Sequence, residues 1–249
     1  MVQTPSARWM TLSVIAALLV ACAKADENAK TGSDTATAAT APVADTATAM
    51  AAPAKLGPAE YRVVVKSRWT KAEHPFEWPA AAHFSGVIGA THTPAYSIFT
   101  VGTPPTPGLE NLSEEGKHTP LDKEIRAAIG DGRAGVLFES GPLRNFADSI
   151  VTSVKVDDAF PVVDLVMMVA PSPDWFTGVK DVKLAENGAW VPSKTLDLLA
   201  YDSGGDDGTT YLAPNKDTNP KKPTSQAMTP HFVIKGQVVP VGSVTFTKK

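Results

Sequence analysis

The residues VVDLVMMVAPSPDWFTGVKDV (162–182) and WVPSKTLDLLAYDSGGDDG (190–208) decide how this chain is read. Val162 to Ala170 is almost wholly apolar, as befits a central strand covered on both faces, and it stops at Pro171-Ser172-Pro173-Asp174-Trp175. A second strand-like run, Thr195 to Tyr201, stops at Asp202-Ser203-Gly204-Gly205-Asp206-Asp207-Gly208. Two strands that each end in an aspartate-bearing turn bring those turns to one end of a sandwich. Carboxylates crowded there repel one another unless a cation lies between them. The expected site is therefore Asp174, Asp202 and Asp206 around a calcium ion. Asp207 is the rival for the third place.

Working outward, short runs separated by turn residues predict further strands at Tyr61–Lys66, His83–His92, Tyr96–Val101, Ser149–Val156, Val233–Val239 and Ser243–Phe246. Ser149–Val156 is expected to have one wetter face. Leu109–Leu112 and Leu121–Ile129 carry apolar residues at helical spacing and predict two short helices in an insertion. Many short strands with proline- and glycine-rich turns give an all-β class, an antiparallel sandwich built from residues 58–249.

The N-terminal part has a different character. Arg8 precedes an apolar stretch, Met10 to Ala21, that is too short to span a bilayer and is laid out as a secretory signal over residues 1–21. It closes on Leu19-Val20-Ala21-Cys22, which resembles the lipobox of bacterial lipoproteins. The chain has one cysteine, so no intramolecular disulfide framework and no cysteine zinc cluster is available. The resemblance implies acylation at Cys22 and a membrane as the first partner, and Ala23 in the next position implies the outer membrane. Residues 22–57 are Ala, Thr, Asp, Lys and Pro with scarcely a large apolar side chain. They are expected to form a disordered tether reaching roughly 30–35 Å.

Composition excludes other roles. The formal net charge is −3 with Lys and Arg scattered, so nucleic acid is not an expected partner. No nucleophile elbow, zincin helix, phosphate loop or dinucleotide fingerprint is present. His83 and His92 stand nine apart on one candidate strand. A metal pair or an acid–base role competes there with hydrogen bonding in loops or core, and the second is expected. The single turn holding Asp202 and Asp206 disfavours placing them on opposite sides of a glycosidic bond.

The sequence resembles the spondin domain, a module of extracellular-matrix proteins such as F-spondin and mindin that also occurs in bacterial secreted proteins. The residues that carry the likeness are Trp69…His74-Pro75, His83-Phe84-Ser85, Gly89-Ala90-Thr91-His92, Gly108-Leu109-Glu110, Met167 through Gly178 and Tyr201 through Gly208. The resemblance implies a C2-like, eight-stranded antiparallel sandwich. It implies calcium ligands at Asp174, Asp202 and Asp206, and a non-enzymatic role in adhesion or binding at the cell envelope. A metal-assisted hydrolase acting on envelope glycan or lipid is the alternative. Two departures stand out: Ala185-Glu186-Asn187-Gly188 replaces a cysteine-bearing stretch of the animal members, and Gly205 takes a place commonly held by Thr. Calcium suits hard oxygen donors, with carbonyls and water completing the shell. Pro171 and Pro173 stiffen one loop, and Trp175 is expected to cover one side of the ion.

Overall fold

Strand β1 (Ala59–Ser67) opens the folded region, followed by β2 (His83–His92). The computed structural model describes residues 55–143 and 149–249. The signal segment, Cys22 and the tether up to residue 54 lie outside the described residues. Two helices come next, α1 (Pro107–Glu115) and α2 (Leu121–Gly130). The long strands continue with β3 (Ala134–Leu143), β4 (Ser149–Val156), β5 (Val162–Ala170) and β6 (Trp175–Lys183). A minimal hairpin, β7 (Ala185–Glu186) and β8 (Ala189–Trp190), leads into β9 (Ser193–Asp202). Short β10 (Ser225–Gln226), β11 (Val233–Ile234) and β12 (Gln237–Val238) precede the last long strand, β13 (Gly242–Lys248).

The long strands run in the order β3-β2-β5-β6-β9-β13-β1-β4, every neighbouring pair antiparallel. Strand β9 joins the two halves. Its first part pairs with β13, from Ser193 opposite Thr247 to Leu198 opposite Gly242. Its last part pairs with β6, from Leu199 opposite Gly178 to Asp202 opposite Trp175. One strand thus serves both sheets, and the array nearly closes on itself. This is the expected all-β antiparallel sandwich with helices in an insertion.

The main core lies between the sheets and includes Val63, Trp69, Phe84, Met167, Trp175 and Phe246. A second cluster lies between the outer face of β2, β5 and β6 and the two helices, with Ile88, Val166 and Phe176 meeting Leu109, Leu112, Leu121 and Ile125. Strand β5 is therefore buried throughout, Leu165, Met167 and Val169 facing one cluster and Val166 the other. Helix α1 begins where the Thr106 hydroxyl accepts from Leu109 N and Pro107 sets the first turn. The Glu124 carboxylate of α2 reaches the same end, accepting from Gly108 N (2.7 Å) and the Thr106 hydroxyl (2.6 Å). A negative charge there suits the helix dipole and fixes α1 against α2.

Three expectations need correction. Tyr96–Val101 is not a strand: the Ile98 amide and the Ser97 hydroxyl are bound to the carboxylate of Asp164, so this backbone serves a buried acid instead of a neighbouring strand. Val233–Val239 is not one strand but the β11–β12 hairpin, turned by Lys235 (φ 51°) and Gly236 (φ 78°). Trp175 does not end a turn; it begins β6. Its ring packs in the main core against Tyr211, His231 and Phe232, so it is spent on packing and does not cover an ion.

Candidate metal centre

The segment after β5 is held by Ser172, whose hydroxyl accepts from Trp175 N at 3.0 Å, and it delivers Asp174 into the interior with no exposed surface. Across from it, the turn after β9 wraps around that carboxylate. Asp174 Oδ2 accepts from the Ser203 hydroxyl (2.9 Å) and from the amides of Gly204 (2.9 Å), Gly205 (2.8 Å) and Asp206 (3.2 Å). Successive amides aimed at one oxygen form an anion-binding nest. Gly204 makes it possible: its φ is +87°, and a Cβ there would stand 2.2 Å from Lys222 O. The other oxygen, Asp174 Oδ1, is buried with no hydrogen-bond partner in the protein.

The Gly204 amide is shared. It donates at 2.9 Å to Asp174 Oδ2 and at 2.9 Å to Asp202 Oδ1, so the two carboxylates meet at one N–H. Burial pushes the Asp202 carboxyl up to about 6, and the charge of Asp174 adds to the effect. Burial also raises Asp174, opposed by its bonds to the turn.

Asp206 is placed beside them but employed differently. It is 5% exposed, and its two oxygens accept from Gly208 N and Lys216 N, which clamps the turn onto the following loop. Asp207 faces outward, bonded to the Thr218 hydroxyl at 2.9 Å and to the Lys222 ammonium, and these partners hold its carboxyl below the ordinary value. Among the described residues, no three His, Cys, Asp or Glu side chains converge as a ready-made metal cage.

Helix α1 contributes two acids that the sequence reading did not assign to the site. Glu110 and Glu114 are one helical turn apart, and a Cβ on Gly205 would meet Glu114 Oε1 at 2.8 Å and Glu110 Cγ at 3.1 Å. Glu114 Oε1 is buried without a partner. Burial and the neighbouring Glu110 charge push its carboxyl up to about 7. Glu110 is paired with Lys221, whose ammonium stands 2.6 Å from Oε1 and also bonds Gly205 O (3.2 Å) and Asp217. The i, i+4 spacing of Glu110 and Glu114 was the available signal. Only the docking of α1 on the turn reveals where they point.

The histidines take the expected structural roles and do not form a pair. His83 and His92 sit at opposite ends of β2. His83 Nδ1 is 2.8 Å from Ala81 O. His92 is fully buried, with Nδ1 2.8 Å from Thr93 O and Nε2 2.9 Å from Asp164 Oδ1.

These features define an antiparallel β-sandwich module that gathers acids from two loops and a helix at one end. The Spondin_N family model matches residues 59–233, and the chain belongs to that family. It is 28% identical to Spondin-2 of Rattus norvegicus over 204 residues, covering 76% of this chain and 62% of that protein. Against Spondin-2 of Homo sapiens it is 30% identical over 168 residues, 66% of this chain and 50% of that one. Against human Spondin-1 it is 30% identical over 173 residues, 67% of this chain and 21% of that one. The chain therefore spans less than two thirds of the curated relatives it matches.

Proposed function

We propose that this chain is an envelope lipoprotein, anchored through an acylated Cys22 in the outer membrane, whose spondin domain binds calcium and acts as a non-enzymatic binding or adhesion module. The single observation that carries the calcium reading is Asp174 Oδ1, a buried carboxylate oxygen without a protein partner beside the half-buried Asp202. A group of that kind is costly to leave unmet. The donors present fit a hard cation: carboxylate oxygens of Asp174 and Asp202, the unpartnered Glu114 oxygen, and nearby carbonyls. Bound calcium would supply the positive charge that lets these acids stay ionised together. Asp206 then serves chiefly as the clamp that keeps the turn in shape, and Asp207 stays outside with its lysines.

Calorimetry with calcium, against wild type and Asp174→Asn, tests the site. Heat with wild type and none with the variant is expected; no heat from either ends the proposal. The anchor is tested by Cys22→Ser, which should move the protein from the membrane pellet to the soluble fraction. Among the described residues no helix is long and apolar enough to cross a membrane. No observation favours the hydrolase alternative. The partner of the module is expected among envelope or extracellular components, and a pull-down from envelope extracts with and without calcium addresses it.

A further inference from the structure

Just beyond the acidic turn, the loop between β1 and β2 and the segment around Tyr211 border an open pocket of about 360 Å³. That is near the small end of the range for ligand pockets. Trp78, Pro79, Tyr211 and Leu212 supply its apolar lining, Thr210 a hydroxyl and Glu77 a carboxylate. No lysine or arginine lines it. Leu212 stands at its rim 78% exposed, the most exposed large apolar side chain among the described residues.

The floor is rigid. Trp78 meets Trp69 edge-on at 5.2 Å, and Tyr211 packs on Trp69 (5.7 Å), Trp175 (5.3 Å) and His231 (4.6 Å). The Trp69 indole N–H donates to the Tyr211 hydroxyl at 3.4 Å. These rings belong to the main core, so their positions are set by packing and need no ligand to form.

Glu77 is held in place at a cost. Its φ is +46°, a left-handed conformation that a glutamate adopts only under constraint. The reward is a fixed carboxylate: Oε2 lies 3.2 Å from His231 Nε2, while His231 Nδ1 lies 3.1 Å from the Thr229 hydroxyl. Burial keeps the His231 imidazole below its ordinary value despite the pull of Glu77. At neutral pH the histidine is therefore an uncharged donor to Glu77 through Nε2–H, and Nδ1 accepts from Thr229. The carboxylate is oriented but its charge is not cancelled.

An aromatic and aliphatic wall beside a fixed, uncompensated negative charge selects a particular chemistry. Aromatic rings attract cations through the ring quadrupole even at solvent-open sites, such as this one with Glu77 about half exposed. A bare ammonium is strongly hydrated and loses more on entering such a wall than a methylated one. We propose that this pocket binds a small methylated ammonium ion of the choline or betaine-alcohol class, with its charge against Glu77 and its methyl groups against Trp78, Pro79, Tyr211 and Leu212. The site shares no residue with the acidic turn, although Thr210 follows that turn two residues after Gly208.

The test uses the full chain, titrated with tetramethylammonium, choline and the neutral choline isostere 3,3-dimethyl-1-butanol, followed by saturation-transfer NMR and calorimetry. Tetramethylammonium and choline should bind in the millimolar range or tighter, the neutral isostere about tenfold more weakly, and methylammonium more weakly than its tetramethyl counterpart. Glu77→Gln should weaken tetramethylammonium about tenfold. Glu77→Gly, which relieves the backbone strain but removes the His231 partner, should lose binding while the domain still melts cooperatively. Saturation of Trp78 contacts by the neutral isostere as readily as by the cation overturns the proposal. So does full-strength cation binding by a folded Glu77→Gln, or no transfer to any of the cations at tens of millimolar. Repeating the titration in EGTA separates this site from the calcium proposal: loss of calcium binding leaves it standing, and loss of cation binding leaves the acidic turn untouched.

Discussion

Asp164 and Asp174 are both fully buried, one within β5 and the other just beyond its end, yet they are finished to different degrees. Every direction around Asp164 is filled. Its Oδ1 accepts from Asp181 N (2.6 Å) and faces His92 Nε2, and its Oδ2 accepts from the Ser97 hydroxyl (2.7 Å) and Ile98 N (2.9 Å). It ties β2, β5, the loop after β2 and the end of β6 together. Asp174 gathers four donors on one oxygen and leaves the other without a partner. An acid that is completely satisfied is architecture. An acid that is half satisfied, beside Asp202 and Glu114, is arranged for something the protein itself does not supply.

The sharpest way to break this contrast is at Asp164. Asp164→Ala strips the partners from His92 and three donors, and removing one member of a buried pair costs about 3–5 kcal/mol. For a domain of this size that lowers the melting temperature by roughly 10 °C. Scanning calorimetry showing a wild-type melt would reduce Asp164 to an incidental acid. Calcium should not rescue this variant.

Next in size is the response to calcium. At a calcium concentration a hundred times the dissociation constant, stabilisation is about 2.7 kcal/mol, a rise of roughly 5–10 °C. Asp174→Asn and Asp202→Asn should abolish it. Asp206→Asn should lower the melting temperature with and without calcium, since it loosens the clamp on Gly208 and Lys216. Equal loss of calcium response in all three would restore Asp206 to the direct ligands.

A smaller effect concerns pH. In EGTA, Asp174, Asp202 and Glu114 have folded-state values above those of the unfolded chain, so the fold holds extra protons between about pH 4 and 7. Stability then falls as pH rises through that window, by a few degrees of melting, and calcium should flatten the slope. His92 runs in the same direction for a different reason. Burial opposes its protonation, but the contact and charge of Asp164 more than offset this and raise it. Its contribution is complete below about pH 6.5 and is lost as pH climbs through the folded value. Asp202→Asn should remove only part of the slope, and persistence of the whole slope in that variant would assign it to Asp174, Glu114 and His92 without Asp202. The least change is expected from Asp207→Asn. Its lysine partners are largely exposed, and such surface pairs contribute less than about 1 kcal/mol. A large shift in calcium binding by calorimetry would make Asp207 the third ligand after all.

Much of the framework was visible in the chain itself, for identifiable reasons. His83–His92 and Val162–Ala170 emerge with the expected bounds, the second because a strand buried on both faces writes a nearly continuous apolar run. Strand β6 was hidden: its first residues looked like the end of a turn, and Gly178 interrupts it. That glycine is needed because a Cβ would stand 2.2 Å from Leu165 O on the paired strand. Strand β3 was hidden by Gly135, Gly141 and Pro142, which fall where its pairing with β2 shifts register. Asn187-Gly188 is a strong local hairpin signal, and it does join β7 to β8 with both residues at positive φ.

The chain alone settled the all-β class, the two helices and the two aspartate-bearing turns, because strand periodicity, capping residues and glycine-rich turns are local properties. Tertiary structure alone decided what each acid does. Whether a carboxylate is filled, half filled or solvated depends on donors brought from distant segments: the Ser203–Asp206 amides for Asp174, the Gly208 and Lys216 amides for Asp206, and His92 with Ile98 for Asp164. Hydrogen bonds are short and directional, so spacing along the chain carries no record of which oxygen finds a partner.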